Sequence, residues 1–205
     1  DGVFQSEEQI ANYKGAKLDG TKPGDVIWVD RDHNGVIDDG DQGMIGDPNP
    51  DYNLGLSLTA SYKGFNISMT MNGVFGNQIM KSYRSYVDYT RQNYTSDIFG
   101  RWHGEGTSNR LPRLTSGTHS NWQYVSDLYM EDGDYFRMQN LTIGYDFKKL
   151  LLSKVSEIQG LRLYFSGSNL LTWSQIKYFD PELRSTDGSA YPQMKTFVFG
   201  ANITF

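Results

Sequence analysis

Residues 196–205 read TFVFGANITF, with Phe197, Phe199, Ala201, Ile203 and Phe205 on one parity and Thr196, Val198, Gly200, Asn202 and Thr204 on the other. Side chains of a β-strand alternate between its faces, so one face of this segment offers apolar groups and the other small or polar ones. The alternation recurs upstream. Leu54, Leu56, Leu58, Ala60 and Tyr62 oppose Gly55, Ser57, Thr59 and Ser61, and Phe65, Ile67, Met69 and Met71 oppose Asn66, Ser68, Thr70 and Asn72. Leu141, Ile143, Tyr145 and Phe147 oppose Asn140, Thr142, Gly144 and Asp146, and Leu161, Leu163 and Phe165 oppose Arg162, Tyr164 and Ser166. None of the apolar faces carries a charge. Each run is close to the roughly 9–11 residues that a tilted strand needs to cross a bilayer, longer than the ~5–6 usual in soluble strands. A soluble sandwich alternates too, so the connections have to discriminate.

Tyr62, Lys63, Gly64 and Phe65 join two runs through a Lys-Gly turn, and residues 148–160 form a short link. By contrast residues 76–133 are a very long connection, residues 169–195 a long one, and the first fifty residues precede any strand. Tight turns alternating with large loops are the pattern of a membrane barrel with periplasmic turns and extracellular loops. With the C-terminus on the periplasmic side, all five strands take a self-consistent polarity. Tyr62, Phe65, Tyr145, Phe147 and Phe205 then cluster at the periplasmic rim and Phe75, Phe136 and Phe197 near the outer one, as interfacial girdles do. The expected fold is all-β: the C-terminal strands of a large antiparallel transmembrane β-barrel with long extracellular loops. Residues 1–51 are expected to be an extracellular loop region and residues 52–205 the strands and their loops.

A mean hydropathy of -0.57 and the lack of any apolar stretch near 20 residues exclude a membrane helix, but a barrel hides its hydrophobicity in every second residue. A net charge of -5 over 205 residues leaves no basic footprint, so nucleic acid is not an expected partner. Cysteine is absent, which removes disulfides and thiolate metal sites. Five strands cannot close a barrel that needs at least about eight. The opening Asp1-Gly2-Val3 has no signal peptide, and the chain is expected to be the C-terminal part of a longer polypeptide.

Further stretches carry a family resemblance. They are residues 24–30, GDVIWVD, with the Asp/Asn/Gly loop that follows; residues 45–50, IGDPNP; and residues 136–145, FRMQNLTIGY. Residues 161–164, LRLY, with 168–172, SNLLT, then Asp180-Pro181-Glu182 and Tyr191-Pro192 before the last strand complete the series. Their joint order resembles the late-chain signature of SusC/RagA-type TonB-dependent transporters of the bacterial outer membrane. The terminal Phe205 likewise resembles the C-terminal assembly signal of outer-membrane barrels. The resemblance implies a 22-stranded barrel with an N-terminal plug and TonB box outside this chain, a SusD-like surface lipoprotein that caps it, and uptake of oligosaccharides or peptides driven through TonB. It also implies dimers of transporter–lipoprotein pairs and no catalytic residue.

One constellation has definable metal chemistry. Asp30, Asp32, Asn34, Asp38 and Asp41 place oxygen side chains at positions one, three, five, nine and twelve of a loop with Gly35 at six and the Val36 carbonyl at seven. That is the spacing of an EF-hand-type calcium loop without its helices; calcium needs several hard oxygen donors around one point, and glycine permits the turn that folds them inward. Calcium is the one cofactor expected. Trp102, Trp122, Tyr124 and Tyr178 lie in the long loops and can stack on a sugar ring or a peptide side chain. His33, His103 and His119 lack paired-ligand spacing, Ser166 lacks a nucleophile's G-x-S-x-G context, and Glu131, Asp132 and Asp134 read as a solvated loop. The alternative reading is a secreted, calcium-stabilised β-domain for adhesion or carbohydrate binding, which would need no detergent.

Overall fold

The computed structural model describes residues 2–80, 96–115, 119–147, 158–176, 180–182, 191 and 193–205. They fall into two compact units, one drawn from Asp1–Ile45 and Lys81–Met130, the other from Gly46–Met80 and Glu131–Phe205.

In the second unit the alternating runs become strands: β1 (Tyr52–Tyr62), β2 (Phe65–Phe75), short β3 (Gln78–Met80) and β4 (Met130–Asp132), β5 (Tyr135–Asp146), β6 (Gly160–Ser174) and β7 (Thr196–Thr204). Five of them form one antiparallel sheet in the order β1-β2-β5-β6-β7, and β3 pairs with β4. The sheet is open, with β1 and β7 as its edges. Phe205 lies one residue beyond β7 and is 78% exposed. Tyr62 pairs with Phe65, so the β1–β2 loop has only two residues, and Lys63 (φ 46°) and Gly64 (φ 92°) are both left-handed. Positive φ at both central positions is the type I′ hairpin, whose twist matches that of the strands.

Register turns the alternation into continuous rows. Ser57, Thr70, Asn140, Ser168 and Thr196 are paired in sequence across all five strands, as are Leu58, Met69, Leu141, Gly167 and Phe197 on the opposite face. Thr142 and Ser166 share a hydroxyl hydrogen bond of 2.9 Å, and Ser168 donates to Asn140 at 3.0 Å. Among the described residues nothing covers the apolar face: Leu54, Leu58, Phe65, Ile67, Ile143, Leu163, Phe197, Phe199 and Ile203 are all exposed. An uncovered apolar face of this extent would make a water-soluble sheet aggregate, whereas in a bilayer it is the stable surface. Aromatic contacts gather at both ends of the strands, with Phe65, Tyr145 and Phe147 in successive contact at one and Phe136 stacked on Trp173 at the other. Phe165 meets Phe197 and Phe199 between them, so that Phe197 stands in the middle row and not at the outer rim where it was expected.

Strict alternation breaks once. Thr70 pairs with Asn140 but Met71 pairs with Met138, so Gln139 is an extra residue in β5. On β6 the step from Ser168 to Leu171 crosses the same point, with Asn169 at φ 54°. This bulge reverses the phase of β5, so that Arg137 joins the polar face beside Asn72 and Thr172 while Phe136 stays with the apolar groups.

The first unit is held by loops. Val3 bridges Val26, Arg101 bridges Leu111, and α1 (Glu7–Asn12) is capped by Ser6, which accepts from the Gln9 N–H. Its buried apolar residues include Val3, Phe4, Ile27 and Tyr129. Residues 76–133 therefore contain ordered elements where no period was legible, among them α2 (Ser120–Gln123), capped by His119.

Candidate functional site

The acidic loop of the first unit brings part of the expected ligand set together. Asp30, Asp32 and Asp41 each offer a carboxylate oxygen within 4.8 Å of the others. Asn34 sits against them: its N–H donates to Asp32 at 3.0 Å and its amide to the other Asp32 oxygen at 3.0 Å. The Gly35 N–H donates to Asp30 at 2.9 Å, and Gly35 has the positive φ (86°) that the spacing required. Asp38 lies outside the cluster; its carboxylate accepts from Gly40 N–H and forms a reciprocal capping box with Asp41. The Val36 N–H donates to Asn34 at 2.7 Å. The N–H of Asp38, joined by that of Arg31, holds the Asp41 carboxyl below the usual carboxylate range. This bonding is complete at neutral pH and is lost as pH falls through that lowered value.

A second cluster in the same unit centres on Asp25, which is 4% exposed. Its oxygens accept from Arg113 Nε at 2.7 Å, Asn121 Nδ2 at 2.8 Å and the Lys22 N–H at 2.8 Å. Asn121 in turn accepts from the Val26 N–H, so one buried carboxylate ties together segments some ninety residues apart in the chain. Around it a cleft is lined by Asp19, Thr21, Trp28, His119 and Ser120.

The aromatic candidates have different surroundings. Trp102 donates from Nε1 to Gln5 at 3.2 Å and packs over Gly24, so its half-buried ring is engaged within the unit. Trp122 lies in α2 and is partly buried. Tyr124 is 52% exposed and edge-on to Trp28 at 5.6 Å. Tyr178 lies outside the described residues. Asp132 and Asp134 are engaged structurally, accepting from Gln175 and from the Gly76 N–H.

On the polar face of the sheet stands a group that motif spacing did not disclose. Arg137 is 2% exposed. It donates to Thr172 at 3.0 Å, Glu182 at 2.6 Å, Gln193 at 2.8 Å and Asp180 at 2.5 Å, with its guanidinium 5.7 Å from the Tyr135 ring centre. Its partners are 35 to 56 positions away in the chain, and the bulge that aims it inward leaves no mark in a period count.

No family model matches the chain. TonB-dependent receptor P3 of Formosa agariphila is 30% identical across the whole of this chain, which corresponds to 22% of that protein. TonB-dependent receptor SusC of Bacteroides thetaiotaomicron is 30% identical over 90% of this chain and 18% of its own length. The chain thus spans about a fifth of the curated relatives it matches. Among solved structures, the RagAB peptide importer in its closed-closed state superposes with a TM-score of 0.62 at 24% identity, over 77% of this chain and 17% of that one. At that identity the likeness is one of fold.

Proposed function

We propose, on the premise that the chain belongs to the SusC/RagA type of TonB-dependent receptor, that it is the C-terminal wall segment of an outer-membrane importer of oligosaccharides or peptides. TonB-dependent receptors are outer-membrane β-barrel proteins, and the RagAB neighbour is a peptide importer. The observation that carries the reading is the sheet itself. Its five antiparallel strands of 9 to 15 residues present one uncharged, uncovered apolar face and one lined with Ser, Thr and Asn. The apolar face meets lipid, the polar face lines the passage, and the hairpin at Lys63-Gly64 lies on the periplasmic side. Phe205 serves as the assembly signal. The long connection between β2 and β5 faces outward and docks a SusD-like lipoprotein, TonB drives uptake through the plug, and two such pairs associate.

Expression of the full-length protein tests this. It is expected in the outer-membrane fraction as a detergent-dependent, heat-modifiable barrel that co-purifies with a surface lipoprotein. A full-length product that remains soluble without detergent would instead support the secreted β-domain.

The acidic loop would then hold one calcium ion through Asp30, Asp32 and Asp41, with Asn34, the Val36 carbonyl and Asp38 completing the set as the loop closes. Three carboxylates within a few ångströms repel one another unless a cation or solvent screens them. Titration of calcium into the full-length protein by calorimetry is expected to show one site, lost in Asp30→Ala. A flat titration at millimolar calcium makes the loop an acidic turn held by its own N–H donors.

A further inference from the structure

We propose that Arg137 is the post of an ionic clamp that fixes residues 180–182 and Gln193, between β6 and β7, as part of the passage lining. The bulge at Gln139 brings Arg137 onto the polar face, in the row that runs from Gly55 through Asn72 to Thr172. Its Nε, Nη1 and Nη2 all have acceptors, and those beyond the strands, Asp180, Glu182 and Gln193, lie between β6 and β7. The Asp180 carboxylate also accepts from the Glu182 N–H at 2.9 Å, and Gln193 donates to Glu182 at 3.3 Å, so the far side is cross-braced. Two stretches of the connection, residues 180–182 and Gln193, are thus held by one cation against the inner face of the wall. Asp180 is 10% exposed and Glu182 32%. One guanidinium faces two carboxylates. Removing it would leave them to repel each other, and removing them would leave a charge in a site that water scarcely reaches, so neither half is stable alone. A forked donor suits this place because it reaches four acceptors at once, which a lysine ammonium on its flexible stem cannot do in the same plane. Arg137 is a positioning residue: it sets where residues 180–182 and Gln193 lie, and these meet the solute. The same pairing gives a physical reason for the company kept by two sequence stretches, residues 136–145 and residues 180–182.

The clamp rests on the polar face being the passage side, and the experiment separates the two ideas. The full-length protein in detergent is treated with a broad-specificity protease, cuts are mapped by mass spectrometry, and heat-modifiability is followed in parallel. Arg137→Ala is expected to raise cleavage at residues 180–182 and at Gln193 about 100-fold, since cleavage follows the population of the released segment, while the barrel keeps its heat-modifiable migration. Arg137→Lys should restore part of the protection. Asp180→Ala with Glu182→Ala, which leaves every strand residue in place, should expose the same segment and decides the matter if Arg137→Ala fails to assemble. Wild-type cleavage in an assembled Arg137→Ala or Asp180→Ala/Glu182→Ala protein overturns the clamp. A wild-type protein with no heat-modifiable barrel overturns the passage reading beneath it.

Discussion

Arginine in place of Leu141 is expected to abolish the folded barrel, while arginine in place of Thr70, on the adjoining strand, is expected to leave it largely intact. Leu141 stands in the row Leu58, Met69, Leu141, Gly167 and Phe197, about midway between the two aromatic ends of the sheet. A cation on the lipid face at the bilayer midplane costs roughly 2–4 kcal/mol, and a side chain at that depth has far to reach for water. Thr70 belongs to the next row, with Ser57, Asn140, Ser168 and Thr196, on the opposite face. There an arginine meets hydroxyls, amides and water. The amount of heat-modifiable protein in the outer membrane reads the difference. Equal damage from both substitutions, or from neither, would remove the assignment of the two faces.

The second large effect is expected at Asp25. Asp25→Ala takes the acceptor from Arg113, Asn121 and the Lys22 N–H in one step, and breaking such a buried pair costs about 3–5 kcal/mol. Among its described residues the first unit buries few large apolar side chains, so little else there opposes the loss. Hydrogen exchange in the full-length protein should show the amides of Phe4, Gly24, Ile27 and Arg113, which now bond across these segments, exchanging at least about 100-fold faster. Unchanged exchange would mean that the carboxylate is an ornament of the fold. Asp25→Asn, which keeps the shape and one acceptor oxygen, should fall between.

The strands, the two-residue turn and the direction of each strand were legible because their signals are local: a period of two, a glycine at the turn, and the lengths of the connections. Arg137 was not, for two physical reasons. The extra residue Gln139, two positions after it, reverses the phase of β5, so its face cannot be counted back from Asn140. Its acceptors come from a connection that period does not describe. Asp25 hides for a similar reason, as one carboxylate among many until the chain returns with Arg113 and Asn121. Trp102 looked like a loop aromatic, yet Gly24 leaves room for its ring and Gln5 takes its N–H. The acidic loop was half legible. Spacing foretold the meeting of Asp30, Asp32 and Asp41, whereas Asp38 found a nearer task in capping the turn of Asp39–Asp41.

β1 and β2 meet through two residues, while β2 and β5, equally close in the sheet, are separated by roughly 60. The entropy of closing a connection rises only with the logarithm of its length, about 0.6 kcal/mol per doubling, so growth from a dozen residues to sixty adds about 1–2 kcal/mol to the cost of pairing. Contact order rises far more steeply than that. Assembly of the sheet is therefore slowed by this insertion more than it is destabilised. An evolving wall of this kind can exchange what it carries between two neighbouring strands at little thermodynamic expense, provided that the new segment folds by itself and the machinery of insertion waits for it.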